Sequence, residues 1–112
     1  MFFRTAILVT LVALAAGCAT LDGSRLFKSG TAALDAGDPV AAVRDLEAAA
    51  RAIPDASEIQ NHLGLAYEAA GRPDAALAAF RQAVALDCDN QPAQRNLALA
   101  KERAKRTLSA SP

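Results

Sequence analysis

Tryptophan is absent from this 112-residue chain, there is one tyrosine, and aromatic residues reach only 4% of the total. Large side chains therefore cannot fill a wide interior. The apolar content, 53%, is carried mainly by alanine and leucine. Alanine is the strongest helix former and a poor strand residue, so the composition predicts an all-α fold. Alanine helices bury little area each and must pack closely or use a partner. Histidine occurs once and cysteine twice. His62 has no Cys, Asp or Glu cluster at ligand spacing, so it reads as a surface or interface residue and no metal is expected. No glycine-rich phosphate loop is present, and serines and carboxylates form no nucleophile–base–orienter set. The chain is read as no enzyme, with no cofactor and no small-molecule substrate.

Net charge is zero, yet unevenly spread. Ala19 to Asn90 holds six basic and eleven acidic residues. From Gln91 onward Arg95, Lys101, Arg103, Lys105 and Arg106 face Glu102 alone. Nucleic-acid binding calls for a larger basic excess with stacking aromatics, so nucleic acid is not an expected partner.

The first 17 residues read as an export signal. Arg4 supplies a positive start, and Thr5 to Ala16 is uncharged and mainly apolar. A bilayer span needs ~20 apolar residues, which sets this stretch against the alternative of a permanent anchor. It ends Leu14-Ala15-Ala16-Gly17-Cys18, which resembles the lipobox of bacterial lipoproteins. Ala15 departs from that pattern, where leucine is commoner. The resemblance implies cleavage before Cys18, lipid on its thiol and attachment to a bilayer. Ala19, where no aspartate stands, implies sorting to the periplasmic face of the outer membrane. The alternative is an ordinary secretory signal with an incidental cysteine. Residues 18–22 would then be a lipidated linker. Cys88 is left without an intramolecular partner; it is a packed small residue or forms a bridge between molecules.

Offsetting the chain by 34 aligns 23–56 with 57–90 without gaps, and nine positions are identical. They include Gly30/Gly64, Gly37/Gly71, Pro39/Pro73, Ala42/Ala76 and Ala49/Ala83. Glycine and proline recurring at turns and crossings favour a true repeat over a generic alanine-rich bundle. The second unit, with Leu63-Gly64-x-x-Tyr67, Gly71-Arg72-Pro73-Asp74-Ala75-Ala76, Phe80 and Ala83, resembles a tetratricopeptide repeat. Gln60 and Cys88 depart from it, and the first unit is more degenerate, with Ser29, Ala33 and Leu46 for Leu63, Tyr67 and Phe80. The resemblance implies two helix–turn–helix repeats (23–56 and 57–90), a capping helix at 91–106 and a tail at 107–112. Expected helices are 24–36, 39–53, 58–70, 73–86 and 91–106. Asp38 and Asn90 are the expected N-caps, and Ser57-x-x-Gln60 a possible capping box.

In that family the first helices line a concave groove that receives a peptide or helix of a partner protein. Groove positions here would be Phe27, Thr31, Leu34, Asn61, Leu65, Glu68, Arg95, Leu99 and Glu102. The clamp by which some members hold a terminal carboxylate is not reproduced, since Phe27, Thr31, His62, Pro92 and Asn96 occupy its places. The architecture resembles small pilus and secretion accessory lipoproteins. It implies an adaptor in assembly of an envelope complex, the alternative being a recruiter of periplasmic cell-wall enzymes.

Overall fold

A computed structural model describes residues 2–111, with side chains described from Gly17 onward. Met1 and Pro112, at the ends of the expected signal and tail, lie outside the described residues, as do the side chains of the apolar stretch. Five helices follow in order: α1 Phe2–Asp35, α2 Pro39–Ala52, α3 Ser57–Ala69, α4 Pro73–Leu86 and α5 Gln91–Ala110. The described residues are all-α, and α1·α2 and α3·α4 form successive antiparallel hairpins with α5 packed on the last.

The same local chemistry builds both hairpin turns. Gly37 and Gly71 take left-handed backbone, with φ of 76° and 73°, which glycine adopts without penalty. Each lets the chain fold back on the helix it ends. Asp38 N–H reaches Ala33 O at 2.9 Å and Gly37 N–H reaches Leu34 O at 3.1 Å; Arg72 to Tyr67 at 2.8 Å and Gly71 to Glu68 at 3.0 Å repeat the pair. These are Schellman closures, which satisfy last-turn carbonyls. A proline then opens each following helix, where its missing N–H costs nothing. The Asp38 carboxylate accepts from Ala41 N–H and the Asn90 side chain from Ala93 N–H, so both expected caps form.

Three local expectations are corrected. The capping box at Ser57 does not form: Ala56 is the N-cap, without a side-chain bond. The Ser57 hydroxyl instead donates to Ala83 O and accepts from Asn90 Nδ2, both at 2.8 Å. The last turn of α4 lies beside Ser57, and Ala83 O, which already accepts from Asp87 N–H at 3.0 Å, takes the hydroxyl as a second donor. The first helix does not begin at 24, since residues 18–22 are already helical. Ala19, Thr20, Leu21 and Asp22 include no helix breaker, and Gly17 and Gly23 weaken a helix by only ~1 kcal/mol each. Finally, α5 runs to Ala110 instead of ending near 106, because Thr107 to Ala110 contains neither glycine nor proline.

Hairpin crossings are set by glycine. A Cβ on Gly30 would sit 2.6 Å from Leu46 Cγ, and one on Gly64 would fall onto the Phe80 ring. Leu46 and Phe80 are fully buried. One core cluster joins Ala42, Val43 and Leu46 of α2 to Leu63 and Ala66 of α3 and Ala79 of α4. A second joins Ala76 and Phe80 of α4 to Ala100 of α5.

Candidate protein-binding groove

Helices α1, α3 and α5 lie side by side and run in the same direction, as the register of their contacts requires. The Phe27 ring meets the His62 ring edge-on, centroids 5.1 Å apart at 86°. Asn96 Nδ2 donates to Asn61 Oδ1 at 2.9 Å. The Arg103 guanidinium pairs with Glu68 at 2.5 Å. Each contact joins a residue to the one 35 positions further on, one step beyond the repeat.

The structure divides the nine expected groove residues into four groups. Phe27, Asn61 and Glu68 serve the seams between first helices, and Asn61 is only 5% exposed. Leu34 and Leu65 are half-buried; Leu34 packs on the first core cluster and Leu65 on the second. Thr31 donates its hydroxyl to Lys28 O on its own helix. Arg95, Leu99 and Glu102 stand open on α5, with Leu99 54% exposed and Glu102 paired to Lys105 at 3.3 Å. The expected list omitted His62, Asn96 and Arg103, the seam partners. Their signal was the 35-residue spacing, hidden by aligning strictly at 34.

The edge where α3 and α5 begin forms a hollow bordered by Asp55, Glu58, His62, Asp87, Asn90 and Pro92. Among the described residues no group of three or more His, Cys, Asp or Glu is placed to hold a metal ion. Away from this hollow, Asp45 and Tyr67 are perturbed. Hydrogen bonds from Arg44 at 2.8 Å and Ser29 at 2.6 Å hold the Asp45 carboxyl below its ordinary range, against the opposing effect of burial. Tyr67 donates to Glu47 at 2.6 Å, with the Arg72 guanidinium 4.7 Å from its ring centroid. Burial first, then the Glu47 hydrogen bond and charge, push its phenol up to about 12. Both groups join helices to one another, a structural role.

Residues 27–93 match the tetratricopeptide repeat family. The chain belongs to that family. Repeats of this family are generally protein-interaction scaffolds. No curated protein matches the chain. Among the described residues no helix is long and apolar enough to cross a membrane. Cys18 and Cys88 are both exposed free thiols.

Proposed function

We propose that the mature protein begins at Cys18, is held by lipid at the outer membrane, and serves as an adaptor in assembly of an envelope complex such as a pilus or secretion machine. The observation carrying the adaptor reading is the exposed Leu99 on the open flank of three parallel first helices. An apolar anchor there, between Arg95 and Glu102, suits a helix or extended segment with apolar side chains. The anchor reading rests on the lipobox-like stretch ending at Cys18.

Geometry adds to it. Gly23 is the first buried residue of α1 among those whose side chains are described, seated on Ile53. Five helical steps separate it from Cys18, about 8 Å at 1.5 Å per residue. Lipid on Cys18 would therefore hold the repeats almost against the bilayer, which suits docking onto a membrane-embedded assembly.

Two measurements test this reading. Cys18→Ala should move the protein from the membrane to the soluble periplasmic fraction; unchanged fractionation overturns the anchor. A photo-crosslinker at Leu99 should capture a component of an envelope assembly, while one at Val40, exposed on α2, should not. Equal capture from both positions overturns the groove.

A further inference from the structure

The apolar stripe that seats α5 does not stop where its support stops. Ala93, Leu97, Ala100, Ala104 and Leu108 lie along one side of the helix, at helical spacing. Ala93 and Ala100 are buried, and Leu97 packs on the second core cluster. Ala104 is half-buried, and from Lys105 to Ser111 every residue is exposed. Leu108 is 78% exposed, the most exposed large apolar side chain among the described residues. It borders a hollow of about 320 Å³ whose other wall is Pro73 and Asp74 at the start of α4, with Glu68 and Arg103 at its edge. The stripe outruns α4 because α5 has 20 residues and α4 has 14.

At 100° per residue, Lys101 and Lys105 border the stripe on the Leu108 side and Arg103 borders it on the other, with Arg106 beyond. Lys105 is occupied only by an exposed pair with Glu102, which solvent screens. Arg103 is held by Glu68. The Leu108 side is therefore positive, while the α4 wall carries Asp74.

We infer that this end of α5 is a second docking surface, whose occupant is an amphipathic helix of another protein with apolar residues over Ala104 and Leu108 and carboxylates over Lys101 and Lys105. Basic flanks choose the partner's charge and the unfilled stripe chooses its apolar face. A second copy fits poorly, since two α5 helices would set lysine against lysine. A bilayer fits poorly as well. First helices run parallel, so Leu108 and Cys18 lie at opposite ends of the molecule, and lipid on Cys18 would point Leu108 away from the membrane. This surface is separate from the concave one, and its test reads Leu108 independently of Leu99.

The test uses the full chain carrying Cys18→Ala, so that no lipid contributes. The probe is a fluorescent synthetic amphipathic peptide with leucines on one face and glutamates on one flank; the control has lysines in place of glutamates. The glutamate peptide should bind saturably and more tightly than the control by about tenfold or more, and added salt should weaken it. Leu108→Ser should weaken binding by about the same factor, as should Lys101→Glu with Lys105→Glu, while the melting temperature holds because these side chains are exposed. Equal binding of both peptides, no binding, or binding indifferent to Leu108→Ser overturns the proposal. So does Leu108-dependent self-association in sedimentation, or Leu108-dependent flotation with phosphatidylglycerol vesicles, when either occurs in place of peptide binding.

Discussion

The Ser29 hydroxyl donates a 2.6 Å hydrogen bond to the buried Asp45 carboxylate, at the positions where the second hairpin has Leu63 and Ala79. Both pairs are 16 residues apart, as are Gly30/Leu46 and Gly64/Phe80 at the helix crossings. The first repeat thus replaces an apolar contact by a matched polar one.

Removing one partner should cost more than exchanging both. Ser29→Ala should destabilise the fold by about 1 kcal/mol, since water reaches this rim and softens the loss. Ser29→Leu with Asp45→Ala imposes the second hairpin's pair and should be less destabilising than the two single costs added. Urea unfolding of Ser29→Leu, Asp45→Ala and the double variant measures the coupling; strict additivity would count against it.

Acid should weaken the fold through the same carboxylate. Asp45 is held below its ordinary range, so the unfolded chain takes up its proton first as pH falls. Its contribution is complete above about pH 4, the unfolded value, and is lost as pH drops through the lower folded value. Asp45→Asn should flatten this part of the stability curve between pH 5 and the acid limit, read by urea midpoints.

Alkali should act through Tyr67, with the opposite sign. Its folded value, about 12, lies above the ordinary 10, so its contribution is whole below pH 10 and is lost between pH 10 and 12. It is the sole tyrosine and tryptophan is absent, so phenolate absorbance reports it cleanly. Glu47→Gln should lower the midpoint without returning it to 10, because burial is the larger cause.

Two kinds of glycine should respond differently. Gly64→Ala puts a methyl onto the Phe80 ring and should cost about 1–3 kcal/mol by overpacking. At Gly71 a Cβ would meet nothing within 4 Å, and only its φ of 73° resists substitution. Gly71→Asn should therefore be tolerated, since asparagine visits left-handed backbone, whereas Gly64→Asn should not. Thermal melts of the pair decide it.

Much of this fold is legible in the residues. Glycine, proline and asparagine punctuate α2, α3 and α4, whose limits fall within a residue or so of those expected. Where punctuation fails, the reading fails: nothing in Ala19 to Asp22 or Thr107 to Ala110 tells a helix to stop. Ser57 misled because its hydroxyl answers α4, a neighbour distant in sequence. Seam pairs such as Asn61 and Asn96 depend on how adjacent helices slide past one another, which a strict 34-residue period does not express. Even the degenerate first repeat held a clue, since Ser29 and Asp45 change from apolar to hydrogen-bonding types together.

The cluster spanning Leu46, Leu63 and Ala79 ignores the border between the repeats, and Tyr67 bonded to Glu47 ties the same junction. Severing the chain between Ala56 and Ser57 would not release two self-sufficient halves. It would tear one shared interior in two and wet both faces, so the hairpins must melt as a single cooperative body.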